Sequence, residues 1–598
     1  MGSDRRIHHG INKARDAIFA ASESNKKCGI LDNDYKAAFN FMVLKWVFKV
    51  LLAKGMDSQV VNRLHNLYNN HVTVVVVNGV LGRSFPNVRW SIRQGDRPSS
   101  LLFCFGLDPL LDWLEKRLKG IPIYTMDIFN APSTTETYKV MAYVDDVKPG
   151  ITSLEEFSLV DRGSALFEAA SGCILHRDPD SGKVKFLAIG GWKPKGKDPG
   201  LTKENIPVPY VVLSKHLDMV GVKLCADYRD SRALNGEDLQ ERIHRIIGPW
   251  KGGKFMPLSQ RSHSLNTYCL SKVWFKCSSI ELRVTDLTKI SSLCKSWLFQ
   301  DQLEKPEDHV LYRSRTQGGL SLTNVKVKAL SLLIKTFLET ALSDKFQKNL
   351  FHEAIFRWHV LKERDLVKPK LPPYYSEEML NIISSVREEG MLNIKTMSVK
   401  LWYKHLIEVQ VTHTEPEDPS ALVLCRVERL APDIDWGRSW LAVCVPGLTP
   451  EMRSFLWKML HCILPTQERL HRMNMPNAPS PQCVQCTEGK LDDVEHALLR
   501  CNKIKSGADF LLETLRSEIP DITFERIKYL DFRTEDLLVP TFLTAATLSQ
   551  LWNSRFSTRN FSWQSARASV EQCIMTLKKS RFDLAASKLQ SICGMQMC

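Results

Sequence analysis

The sequence predicts an α+β protein, with strands gathered in the front third, long helical stretches behind them and a small metal-binding module near the end. Three observations carry this expectation. The β-branched run Val72 to Val77 closes on Asn78-Gly79 before a second apolar-rich segment, the pattern of a tight hairpin. Residues 235 to 300, 325 to 400 and 506 to 598 read mainly as helices, in part amphipathic. Cys483-x2-Cys486-x9-His496-x4-Cys501 offers three thiols and one imidazole, a ligand set suited to one tetrahedral structural Zn²⁺.

A chain of 598 residues is long for a single core, so several domains are expected. Hydrophobic residues make up 44% and charged residues 25%, a globular composition. Basic residues outnumber acidic ones by 81 to 66, and the resulting charge of +15 favours a polyanionic partner such as nucleic acid. The 16 cysteines form no dense framework and no signal peptide is recognisable. Reducing intracellular conditions, nuclear or cytoplasmic, fit that usage. No apolar run reaches the ~18 residues of a membrane span, so no membrane partner is expected.

From the front, INKARDAIFAA (11–21) has helical spacing, SESNKK is a loop, and Cys28 to Asp34 is a short strand ending in acids. Residues 38 to 53 read as one buried helix. Asp34 therefore stands at a strand-to-helix junction, where a carboxylate either faces a metal or serves as a cap or solvated loop acid. Ser91 to Ser100 is a polar, glycine-containing turn entering an apolar helix. Such a turn brings Arg93, Gln94 and backbone N–H groups toward a phosphate or a base, although the same pattern describes an ordinary capping loop. YKVMAYVDDVKPG reads as a hairpin with Asp145 and Asp146 at its tip and Pro149-Gly150 as the breaker. Paired carboxylates of this kind suit Mg²⁺, and two such ions clamp the oxygens of a phosphoryl transfer.

These pieces, in this order, resemble the palm of a reverse transcriptase of the non-LTR (LINE-type) retrotransposons. Asp34-Tyr35-Lys36-Ala37-Ala38-Phe39-Asn40 resembles the family's first catalytic block, with Asn40 where Asp is usual. Arg93-Gln94-Gly95 through Leu102-Phe103 resembles the second, with Arg97 and Ser100 where Pro is usual. Ala142 to Asp146 resembles the third, in which Ala is commoner than Val144. The resemblance implies a right-hand polymerase palm with incomplete fingers. Asp34, Asp145 and Asp146 would hold two catalytic Mg²⁺ ions, and without counterions such acids would repel one another. Phe39 would lie under the sugar of an incoming deoxynucleoside triphosphate, and Arg93, Gln94 and Gly95 would line the nucleotide and template. Ala170-Ser171-Gly172 with Lys183 and Lys185 resembles the next block, in which one lysine serves the triphosphate. His216 to Val222 resembles the hairpin that grips the primer.

The resemblance extends behind the palm. Residues 235 to 300, with Trp250, Arg261 and Leu270 to Trp274, resemble a helical thumb, and Gly318 to Asn324 matches a phrase that commonly follows it. Phe455 to His461, Leu464 to Thr466 and the Cys-His motif resemble the C-terminal module of these proteins. Cys483, Cys486, His496 and Cys501 would be its zinc ligands, the alternative being a set of buried thiols and a core histidine. His496 and Cys501 are five residues apart, so their helix must end or deform near Cys501. His461 and His471 read as packing or surface groups. The expected divisions are 1–232 for partial fingers and palm, 233–345 for the thumb, 346–445 for a helical connector with a linker at 408–417, 446–510 for the zinc module and 511–598 for a helical C-terminal region.

The implied activity is RNA-directed DNA polymerisation, with an RNA template, a DNA primer or target and deoxynucleoside triphosphates as partners. Only 33 residues precede Asp34, and neither an endonuclease nor full fingers is recognisable. The chain therefore reads as a truncated member, and an inactive nucleic-acid-binding protein derived from such an element is the alternative.

Overall fold

The computed structural model describes residues 7–36, 38–69, 73–85, 91–93, 95–124, 136–250, 256–300, 305–342, 350–365, 368–388, 393–412, 426–486, 488–555 and isolated helical positions between 568 and 591. The described part is mixed α+β and forms two compact units. The first comprises Met1–Asp238, Phe275–Arg283 and Leu332–Val399, and the second Leu239–Trp274, Val284–Ser331 and Lys400–Cys598.

The first unit is built on a five-stranded sheet in the order Val212–Leu213, Lys185–Ile189, Cys28–Asp32, Asp146–Ile151, Val140–Tyr143. The central strand Cys28–Asp32 is antiparallel to both neighbours. It is buried on both faces: Ile30 is fully buried, and Leu31 packs into the core cluster that holds Phe103, Phe157, Phe186 and Trp192. A side chain at Gly29 would strike the Phe186 ring and the Leu187 carbonyl, so the central strand needs a glycine there.

Pro149-Gly150 does not break the hairpin as expected. Both residues lie inside the strand Asp146–Ile151. The ladder to the central strand runs through Gly29–Ile151 and Ile30–Gly150, lapses, and resumes at Asn33–Val147. It lapses where Pro149 has no N–H to donate. Gly150 is required because a Cβ there would lie 2.7 Å from the Tyr138 carbonyl oxygen. Tyr138 in turn donates its hydroxyl to the Lys148 carbonyl at 2.9 Å.

The single helix expected over 38–53 is two helices, Ala38–Phe41 and Leu44–Ala53. Val43 between them is extended, donates its N–H to the Ser171 carbonyl at 2.7 Å and bridges Ser91. Thr73–Val77 and Val80–Phe85 form the expected hairpin, with Asn78 and Gly79 at φ 50° and 81°. His216–Met219 and Val222–Cys225 form another, turning through Val220 and Gly221 at φ 54° and 85°.

A buried polar cluster joins the helix Ile7–Glu23 to the late segments of this unit. The Arg15 guanidinium lies 3.7 Å over the Tyr374 ring and donates to the Ser279 carbonyl at 2.6 Å and to Tyr375 at 3.2 Å. Tyr374 donates to Asp16 at 2.7 Å, and His352 meets the Tyr375 hydroxyl at 2.9 Å.

The second unit is helical among its described residues, with Val284–Phe299, Pro450–Leu460, Lys505–Arg516 and Leu538–Arg555 as its longer members. The turn at Gly318, φ 78°, presents its carbonyl to Trp457 Nε1 at 2.7 Å and His461 Nε2 at 2.8 Å. His461 is thus a packing residue, stacked on Trp440. Arg261 is buried and donates to the Leu298 carbonyl at 2.9 Å, which directs it inward.

His352 in the first unit and His461 in the second are both buried, and burial pushes each imidazole from 6.5 down to about 4. The unfolded chain binds these protons near the ordinary value, so stability is complete above 6.5 and lost as pH falls toward about 4. Thermal melts across that window should show a falling Tm, and His352→Gln should flatten the slope. An unchanged slope would mean that His352 is already charged in the fold.

Candidate active site and metal centre

The strand pairing sets the acids face to face. Asn33 bridges Val147, with its N–H 3.0 Å from the Val147 carbonyl oxygen. The same offset places Asp32 opposite Lys148 and Asp34 opposite Asp146. Side chains two residues apart on a strand share a face, and Asp32, Lys148 and Asp146 meet on one side of the sheet, with Asp34 just past the end of the central strand. The Lys185–Ile189 strand pairs Lys185 with Asp32. Lys183 Nζ lies 3.5 Å from Asp34 Oδ2. Lys185, Asp32 and Lys148 therefore alternate in charge across the sheet, whereas Asp34 faces Asp146.

Asp145 stands in the two-residue turn with Val144, between the paired Tyr143 and Asp146. Val144 has φ 57°, a left-handed conformation that β-branched residues avoid. Strain of this kind costs on the order of 1–3 kcal/mol and gathers at functional sites.

Two of the three acids have a lysine counterion in the fold, Asp146 through Lys148 and Asp34 through Lys183. Lys148 Nζ lies 2.5 Å from Asp32 Oδ1 and 2.5 Å from Asp146 Oδ1, and the lysine side chain is only 3% exposed. Burial nevertheless pushes the Asp146 carboxyl up to about 6, the Lys148 pair opposing the rise and Asp32 adding to it. Asp32 and Lys148 were absent from the residues singled out in the sequence. The available signal was the period of two: Asp32 precedes Asp34 by two positions, and Lys148 follows Asp146 by two.

Phe39 is half-buried and stacks on Phe103, ring centroids 4.8 Å apart. Arg93 pairs with Asp96 at 3.0 Å, covers the Tyr68 ring at 4.5 Å and donates to the Leu67 carbonyl, so it braces its own turn. Gln94 lies outside the described residues. Gly95 has φ 97° and open space where a side chain would be.

The second constellation is closed. The ligand atoms of Cys483, Cys486, His496 and Cys501 all lie within 4.8 Å of one another. Cys483 Sγ is 3.9 Å from Cys501 Sγ, and Cys486 Sγ is 3.5 Å from His496 Nε2. Two thiolates on one tetrahedral zinc stand about 3.8 Å apart, so the donor set fits. A small hairpin presents the first pair: Gln482 bridges Leu491, and the Cys483 N–H donates to the Lys490 carbonyl at 2.8 Å. The Gln485 N–H points at Cys483 Sγ, 3.4 Å away, and orients that sulfur.

His496–Arg500 is one turn of π-helix, and the Cys501 N–H reaches the His496 carbonyl at 2.9 Å. That widening brings residues five apart onto one face. It is the deformation that the His496–Cys501 spacing demanded. Asp492, buried beside the module, receives Arg555 Nη2 on both oxygens at 2.7 and 2.9 Å and the Gln467 N–H at 2.8 Å. Neither Asp492 nor Arg555 carried a local signal, since the pair spans 63 positions.

Residues 431–506 match the family model for zinc-binding in reverse transcriptase, a span that contains all four ligands. A curated relative, the "Transposon TX1 uncharacterized 149 kDa protein" of Xenopus laevis, is 24% identical over 275 residues. The match covers 46% of this chain and 19% of the relative, so the chain spans about a fifth of that protein's length. The chain is thus similar to a reverse-transcriptase zinc-binding segment at 431–506 and, over 275 residues, to a transposon protein. The Cys₃His cluster supports a structural zinc site. Among the described residues, no helix is long and apolar enough to cross a membrane.

Burial pushes the Cys483 thiol up to about 12 and raises that of Cys501. Zinc must displace those protons, so its affinity should fall as pH falls. Metal analysis of the purified chain should find one zinc, retained in neutral buffer and released by acid or chelator with a drop in Tm. Cys501→Ser should lose the metal. Full retention in that variant would remove Cys501 from the ligand set.

Proposed function

We propose that the chain is an RNA-directed DNA polymerase of a non-LTR retrotransposon, with residues 1–232 as partial fingers and palm and 233–345 as thumb. The observation that carries this reading is the register that sets Asp34 across from Asp146 beside Asp145, in a chain whose later residues match a reverse-transcriptase zinc module. Asp34, Asp145 and Asp146 are hard oxygen donors of the kind Mg²⁺ prefers. Each of Asp34 and Asp146 meets its lysine through one oxygen, Oδ2 and Oδ1 respectively. When bound, two Mg²⁺ ions would activate a primer 3′-hydroxyl and neutralise the triphosphate.

The chain's own groups then position the reactants. Phe39, fixed by its stacking on Phe103, offers a flat surface for a deoxyribose. Gly95 leaves open space for a nucleotide or template strand to approach the backbone. Lys183, beside Asp34 and more than half exposed, is the better placed of the two lysines to meet a triphosphate. Gln94 is assigned to the nucleotide by resemblance.

A second reading has its own support. Lys148 and Lys183 already neutralise two of the three acids, as a site that no longer binds metal would require. In that case the chain is a nucleic-acid binder without polymerase activity.

Extension of a DNA primer on an RNA template, with Mg²⁺ and deoxynucleoside triphosphates, separates the two. The polymerase reading expects extension that Asp145→Ala or Asp146→Ala lowers by roughly a thousandfold or more. Extension that survives both changes rules out this site, whereas salt-sensitive binding without extension favours the second reading.

A further inference from the structure

Lys148 is an unusual neighbour for a metal ligand. A lysine 3% exposed must be paired, because an ammonium removed from water without a counter-charge is costly. Lys148 has two partners on two strands, Asp32 Oδ1 and Asp146 Oδ1, each at 2.5 Å. Asp32 is its cross-strand partner, and Asp146 is its neighbour two residues away on the same strand face. Lys148 can therefore let go of Asp146 and remain compensated by Asp32. A lysine with Asp146 as its sole partner would lack that freedom.

We propose that Lys148 is a resident counter-cation that holds Asp146 Oδ1 in the metal-free protein and withdraws onto Asp32 when a divalent ion binds. Lys148 is then a positioning residue. It keeps the carboxylates together without metal, and it opposes metal entry because its own charge must first be moved aside. Asp32 is the seat that receives it. The inference rests on the reading of Asp34, Asp145 and Asp146 as metal ligands.

The test uses the full chain loaded with zinc and measures Mn²⁺ affinity by the electron paramagnetic resonance of the free ion. Lys148→Met should bind Mn²⁺ roughly tenfold or more tightly than the natural chain, since a nearby positive charge is gone. If that variant lacks a cooperative melt, the double variant Asp32→Asn/Lys148→Met carries the test. It leaves the net charge unchanged yet frees Asp146 Oδ1, so it too should bind more tightly. A purely structural ion pair would move stability and leave Mn²⁺ affinity where it was.

Asp146→Asn separates the two levels of failure. If it weakens Mn²⁺ binding while the lysine variants leave affinity unchanged or lower, the role of Lys148 is overturned and the metal reading stands. If Asp146→Asn leaves Mn²⁺ binding intact, or no form binds Mn²⁺, the metal reading falls and the inference falls with it.

Discussion

The pairing of Cys28–Asp32 with Asp146–Ile151 is the constraint on which the candidate site depends. Side chains alternate faces along a strand, so a slip of one residue would send Asp34 and Asp146 to opposite sides of the sheet. Several features hold the register. Asn33 bridges Val147, Gly29 admits the Phe186 ring, and Gly150 admits Tyr138. The contact between Asp32 and Lys148 adds a charged lock on the same face. Interior packing and surface chemistry thus select the same alignment, which is the consistency expected of a well-specified fold.

Much of this was legible in the sequence because it is local. The Asn78-Gly79 hairpin, the strand before Asp34, the tip carrying Asp145 and the Cys-His spacing each depend on a few neighbouring residues. Their chemistry is visible without a partner. The failures share a different origin. The helix over 38–53 is broken at Val43 by the Ser171 carbonyl and by Ser91, groups far away in the chain. Pro149-Gly150 reads as a breaker, yet neighbouring strands absorb both residues. Arg93 reads as a charge available to a phosphate or a base, and it is engaged by its own surroundings. The counterions Lys148 and Lys183 became visible only once the strands were aligned.

The Cys-His cluster and the carboxylates differ in how much they ask of the fold. Cys483, Cys486, His496 and Cys501 lie within one short segment, and a hairpin and a single widened helical turn gather them. The carboxylates come from strands more than 100 residues apart, and like charges oppose their approach. The interleaved lysines make that approach possible in the folded protein, at the cost of leaving Asp146 both buried and paired.

The cluster around Arg15 bears on how this chain is made. Arg15 and Asp16 are synthesised early, but their partners at Ser279, Tyr374 and Tyr375 emerge far later. Until then a guanidinium and a carboxylate suited to a dry interior have only water for company. In the second unit, Gly318 waits likewise for Trp457 and His461, and Asp492 for Arg555. Neither unit is completed by a continuous stretch of chain, so both should finish folding after most of the polypeptide has left the ribosome. An expression fragment cut at the end of the strand-rich region would strand Arg15 without its cover. A fragment that keeps Arg15 covered therefore reaches at least residue 375, even though every acid of the candidate site lies before residue 150.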